Sequence, residues 1–173
     1  DVTLMFMLDI SGSMSKYNNP SVKGYACDLP RGVSESSYST ATQAAITNGP
    51  IYRRQWCVGS DRAIYYDRIT RLKDGMVDLL FGNAVTGVIR LGDDKIIGLS
   101  TLGVYSGGFQ NSGSVLVPAR RLDTVVGTIT QRQLLINTIG NFNNFTNTPT
   151  GRSYAEVISY LMGTTTKGAA GSG

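Results

Sequence analysis

Histidine does not occur in this chain of 173 residues. Its absence removes the commonest general base and the commonest zinc ligand, and it makes a Ser–His nucleophilic pair impossible. Charge is also scarce, at 16% of the residues, where an average domain carries about 25%. The 16 Lys and Arg exceed the 12 Asp and Glu by only four. The basic residues are scattered as Arg53 and Arg54, Arg120 and Arg121, and single positions. Nucleic-acid binding wants them massed on one face, so we expect a solvated surface and no nucleic-acid partner. No apolar run approaches the ~18 residues of a membrane span, and none is expected. The chain opens at Asp1 without a basic-then-apolar leader and so reads as a processed or excised piece.

Hydrophobic residues make up 41% of the chain, enough to bury the core of one domain carrying a large insertion. The 21 glycines, with many Ser, Thr and Asn, point to long ordered loops of the kind common in surface and secreted proteins. Cys27 and Cys57 are the two cysteines, and both lie in the least regular stretch. An even count in a polar, loop-rich segment suggests one disulfide made in an oxidising compartment. Two unrelated free thiols are the alternative, and they would favour the cytoplasm.

Val2 to Leu8 is an apolar run stopped by Asp9, the pattern of a central strand buried on both faces. A tight polar loop, Asp9 to Ser15, follows at the strand's carboxyl end, the edge where open α/β sheets bind ligands. Residues 15–65 show no sustained period and read as an insertion stapled by the two cysteines, with a short helix near Thr40 to Ile46. Ile69, Leu72, Met76, Leu79 and Leu80 fall at helical spacing. Asp67 is placed to cap that helix and Gly82 with Asn83 to stop it. Lys95 to Thr101 reads as a second core strand. Val104-Tyr105 and Ser114 to Val117 read as a hairpin that Pro118 terminates. Thr130 to Gln133 is a capping box opening a helix with Leu134, Leu135, Ile139 and Phe142 as its apolar stripe. After the Asn-rich loop Asn141 to Asn147 and Thr148-Pro149-Thr150-Gly151, a third helix carries Tyr154, Val157, Ile158 and Leu161 on one face. Residues 164–173 form a flexible tail rich in Gly, Ser and Thr. The predicted class is α/β, with a mostly parallel central sheet flanked by helices. Only three or four strands are visible, so the sheet looks unfinished.

Asp9, Ser11 and Ser13 alternate, so one carboxylate and two hydroxyls can converge on one point from a short loop. Such hard oxygen donors suit Mg²⁺ first, with Mn²⁺ or Ca²⁺ as alternatives, and suit zinc poorly. The plainer alternative is that Asp9 caps a turn with two serines nearby.

The strand, this loop and the later Thr-Pro-Thr-Gly ahead of a helix together resemble the von Willebrand factor A domain and its metal-ion-dependent adhesion site. Asp9, Ser11 and Ser13 match the family's Asp-x-Ser-x-Ser motif. Thr148, ahead of Thr150, matches its loop threonine. The resemblance covers residues 1–14 and 66–162 and implies a Rossmann-like fold over 1–163. It also implies a divalent cation held by Asp9, Ser11, Ser13 and Thr148, with an open position that a partner's carboxylate fills. The family's third metal element, an aspartate after a later strand, has no counterpart after Thr148. Either this is an incomplete piece of the domain, or further strands come from elsewhere. Asp93 and Asp94 sit at the wrong end of their strand to serve.

A cysteine-containing insertion directly after Asp-x-Ser-Gly-Ser-Met resembles, more narrowly, the N-terminal domain of the PilC/PilY family of type IV pilus tip adhesins. So do the Arg-Ile-x-x-Leu-Lys-Asp helix and the segment Tyr154 to Gly163. That resemblance implies export through the periplasm to the bacterial surface, a place at the pilus tip, and partners among minor pilins and host or surface ligands. The implied function is adhesion and pilus assembly, not catalysis. Two rivals stand beside it. One is a cytoplasmic domain of the same superfamily serving a chelatase or ATPase complex. The other is a phosphotransferase of the haloacid-dehalogenase type with Asp9 as nucleophile, which wants a second aspartate where Ser11 stands.

Overall fold

β1 (Thr3–Leu8) forms from the apolar run and stops at Asp9, and a single 3₁₀ turn follows at Gly12–Met14. β2 (Trp56–Val58) and β3 (Ile64–Tyr66) make an antiparallel hairpin, followed by α1 (Arg68–Phe81) and β4 (Ile96–Thr101). β5 (Val104–Ser106) pairs with β6 (Phe109–Asn111), and β7 spans Ser114–Arg121. A short hairpin, β8 (Val125–Val126) and β9 (Ile129–Thr130), leads into α2 (Gln131–Gly140), and α3 spans Thr150–Leu161. The structure is a computed structural model describing residues 2–15, 27, 52, 54–102, 104–106, 109–111, 113–142, 148 and 150–164. Most of the insertion, including the helix expected near Thr40 to Ile46, lies outside the described residues, as does the tail beyond Thr164.

The fold is mixed α/β. Its main sheet has the order β1-β4-β7, with β1 parallel to β4 and β7 antiparallel to it. The sheet is therefore mixed among the described residues, not mostly parallel. Among the described residues β4 is the central strand and β1 an edge, and the exposure of β1 corrects the expectation that Val2 to Leu8 is buried on both faces. Val2 is 74% and Leu4 44% exposed, whereas Ile97, Leu99, Ser100 and Thr101 are fully buried. Two hydrogen-bonded neighbours exclude water from β4 on both sides; β1 has one neighbour here.

Pro118 does not end its strand. β7 continues to Arg121 through a register shift opposite Ile97 and Leu99. A proline lacks the N–H a ladder needs, and an edge strand with a bulge tolerates that loss. The gap is bridged by Gln131, whose Nε2 donates to the carbonyls of Ile97 (2.9 Å) and Pro118 (2.8 Å).

α1 begins where Asp67 accepts the Thr70 N–H at 2.9 Å and ends at Gly82, whose φ of +81° suits glycine. Ile69, Met76 and Leu80 are buried, and Leu72 and Leu79 pack partly buried beside them. α2 opens as expected, with Thr130 Oγ1 accepting from the Gln133 N–H at 3.2 Å. Its buried apolar residues are Leu135, Ile136 and Ile139, with Phe142 just beyond, while Leu134 is half-buried. α1 and α2 cover one face of the sheet, meeting Leu8, Ile97, Leu99 and Val117. Arg132 is buried between them. It donates to the carbonyls of Leu80 and Leu91 and to Asp93 Oδ1 (2.8 Å), so it fills one carbonyl of α1's last turn and ties the connection to β4 beside it.

α3 packs on β7 and β1. It seats Ser153 and Val157, with Tyr160 Oη accepting from the Ala119 N–H at 2.9 Å. Of the expected stripe, only Val157 is buried; Tyr154, Ile158 and Leu161 are exposed. Three polar bonds, two at Ser153 and one at Tyr160, set the helix's rotation about its axis, and the apolar stripe is carried outward with it.

Candidate metal centre

The Asp9 to Ser15 loop is bent by its own short-range hydrogen bonds. Asp9 Oδ1 accepts the Ser11 N–H at 2.7 Å, an Asx-type turn that directs the carboxylate onto the loop. The Met14 N–H then reaches the Ser11 carbonyl at 2.9 Å, closing the 3₁₀ turn. These bonds bring the Ser11 and Ser13 hydroxyl oxygens to 3.2 Å. Ser11 is buried, Ser13 exposed and Asp9 half-buried, so the loop offers one wall to the interior and one to solvent.

The spacing of the two hydroxyls bears on what they can hold. Adjacent ligands of an octahedral cation with bonds of about 2.1 Å lie about 3.0 Å apart, and somewhat further for longer bonds. The 3.2 Å pair therefore serves equally as a hydrogen bond or as neighbouring ligands. Asp9 keeps Oδ2 for a cation while Oδ1 holds the turn. Among the described residues no three Asp, Glu, Cys or His side chains gather. A cation here would rest on one carboxylate, two hydroxyls and water, a hard-oxygen set that fits Mg²⁺ or Mn²⁺.

Thr148 and Thr150 stand at the start of α3. The Thr148 carbonyl accepts from the Thr150 N–H at 2.8 Å, and both side chains are exposed. The helix is tied to the same sheet edge as Asp9 by a short relay. Ser153 Oγ donates to the Leu102 carbonyl, and the Leu102 N–H donates to the carbonyl of Leu8, the residue before Asp9, at 3.1 Å. The motif loop and the first turn of α3 are thus both anchored at the carboxyl end of β1 and β4. Asp93 and Asp94 lie at the other end of β4 and pair with Arg90, Arg132 and Lys95.

Cys27 and Cys57 are joined in a disulfide, with Cα atoms 6.3 Å apart. Around it the described part of the insertion grips α1. Tyr52 Oη donates to Asp74, and Arg54 Nη2 reaches the same carboxylate at 3.2 Å. Burial and the Asp74 bond push the Tyr52 phenol well above its ordinary range. Lys73, also buried, lies 5.3 Å from the Tyr52 ring centroid and donates to the Gly140 carbonyl at 2.8 Å. Desolvation lowers its pKa, opposed by the charge of Asp67.

Sequence reasoning missed three positions that hold the loop: Ser15, Gln55 and Arg68. Ser15 Oγ donates to Gln55 Oε1 at 2.7 Å, and Arg68 Nη1 reaches the Ser13 carbonyl at 3.4 Å. No local signal marks such contacts, because they span 40 and 55 residues. Comparison with known families, with curated proteins and with solved structures finds no match for this chain.

Proposed function

We propose that this chain is a metal-dependent protein-binding module whose cation sits on Asp9, Ser11 and Ser13, with Thr148 as a further ligand. The carrying observation is the paired Ser11 and Ser13 hydroxyls, 3.2 Å apart beside the Asp9 carboxylate at the end of β1. A cation held by one carboxylate and hydroxyls keeps positive charge and open positions, so it can accept a carboxylate from a protein ligand. The metal supplies that electrostatic attachment; Asp9, Ser11 and Ser13 orient it. Binding, not catalysis, is the reading, since the chain has no histidine and Asp9 lacks the second aspartate that phosphotransfer wants.

The narrower proposal is a surface adhesin of the type IV pilus tip, exported through the periplasm. It rests on the resemblance in sequence and is supported by the disulfide, which suits an oxidising compartment and disfavours the cytoplasmic rival. Calorimetry of Mg²⁺, Mn²⁺ and Ca²⁺ against wild type and Asp9→Ala tests the site. Saturable binding by wild type that Asp9→Ala loses supports it; equal heats from both proteins refute it.

A further inference from the structure

The bond between Ser15 and Gln55 joins two regions far apart in the chain. Ser15 is two residues beyond Ser13, and its hydroxyl donates to Gln55 Oε1 at 2.7 Å. Gln55 is two residues ahead of Cys57, next to β2, whose three residues are all buried. Its main chain is fixed independently of its side chain. The Gln55 N–H donates to Thr70 Oγ1 at 2.9 Å, and its carbonyl accepts the Asp67 N–H at 3.0 Å. Both partners belong to the first turn of α1 and its cap. Disulfide, hairpin and helix start thus form one mount from which the Gln55 amide reaches the motif loop at Ser15, beside the Arg68 guanidinium at the Ser13 carbonyl.

We propose that Gln55 is a positioning residue for the cation loop, acting through Ser15 to hold Ser13 and Ser11 in ligating geometry. This rests on the cation reading above. A ligand set with one carboxylate and two hydroxyls depends on pre-organisation, because each hydroxyl is a weak donor that must be placed before the cation arrives. Outer contacts of this kind typically change metal affinity by about 10- to 100-fold when removed. The side chain touches the loop while the main chain touches α1, so a substitution at Gln55 separates positioning from folding. Gln55→Leu keeps the backbone bonds and removes the acceptor. Gln55→Glu keeps an acceptor for the Ser15 hydroxyl.

The test measures Mn²⁺ affinity of the oxidised 173-residue chain by the electron paramagnetic resonance of free Mn²⁺. Amide hydrogen exchange at Ser13 to Ser15 in metal-free protein is the second readout. Gln55→Leu should bind about tenfold more weakly and exchange faster at those amides, with its urea midpoint changed little. Gln55→Glu should restore both readouts. Ser15→Ala should weaken binding as Gln55→Leu does, and the double variant should be no weaker than either. Wild-type affinity in Gln55→Leu, or equal loss in Gln55→Leu and Gln55→Glu, overturns the assignment while leaving the cation site standing. Absence of Mn²⁺ binding by wild type removes the cation reading and this assignment together.

Discussion

Ser153 and Gly113 meet through a hydrogen bond in which the Gly113 N–H donates to Ser153 Oγ at 2.9 Å. The same hydroxyl donates onward to the Leu102 carbonyl, so one side chain on α3 closes two backbone valences at the carboxyl edge of the sheet. A Cβ on Gly113 would stand 2.5 Å from both the Thr101 carbonyl oxygen and the Ser153 Cβ. We expect Ser153→Ala to destabilise the chain by roughly 1–3 kcal/mol, the cost of stranding buried polar groups. Gly113→Ala should cost at least as much. Urea unfolding checks both, and unchanged midpoints would show that α3 is not held at this point.

The elements with strong local signals were readable from sequence. α1 was legible from its cap to its stop because Asp67, the apolar stripe and Gly82 each act within one turn. The start of α2 was legible from Thr130 and Gln133, and the pairing of Cys27 with Cys57 from their isolation in one irregular stretch. What failed was either too short to show a period or dependent on distant contacts. The β2–β3 hairpin lay in a stretch read as patternless, although Trp56-Cys57-Val58 and Ile64-Tyr65-Tyr66 are rich in strand formers around a turn. The orientation of α3 was misread because Ser153 and Tyr160, not the apolar stripe, choose its seated face. Of the candidate site, the spacing of Asp9, Ser11 and Ser13 was visible, but the anchoring by Gln55 was not.

The disulfide should stabilise the insertion chiefly through the unfolded chain. Its closed loop of 30 residues corresponds to roughly 3–4 kcal/mol in the chain-entropy model. Reduction, or Cys27→Ser with Cys57→Ser, should lower the unfolding free energy by about that amount. Chemical denaturation with and without reductant measures it, and identical curves would contradict the account.

Asp93 is held below its ordinary carboxylate range, first by the hydrogen bond from Arg132, which outweighs desolvation, and further by the charges of Arg90 and Arg132 against that of Asp123. A carboxyl lowered in the folded state gives stability that is complete above its unfolded value, about 3.9, and is lost as pH falls through the folded one. Asp93→Asn should therefore be less stable than wild type at pH 6, and the gap should close below about pH 4. A gap that persists unchanged at pH 2.5 would contradict the assignment.

Among the described residues no strand pairs with the outer edge of β1, and that strand carries no lysine, proline or bulge to protect it. An apolar edge of this kind promotes association. Sedimentation velocity should show concentration-dependent self-association of the wild-type chain, reduced in Leu4→Lys. A wild type that stays monomeric throughout would show that this edge needs no partner.

Paramagnetic broadening tests the proposed cation on Asp9 most directly. Titrating Mn²⁺ into the isotopically labelled chain should selectively broaden the amide resonances of Asp9 to Ser13 and of Thr148, Thr150 and Gly151, with Mg²⁺ in excess reversing the effect. In Asp9→Ala the same additions should leave those resonances sharp. Broadening centred elsewhere, or equal broadening in Asp9→Ala, would contradict the proposed site.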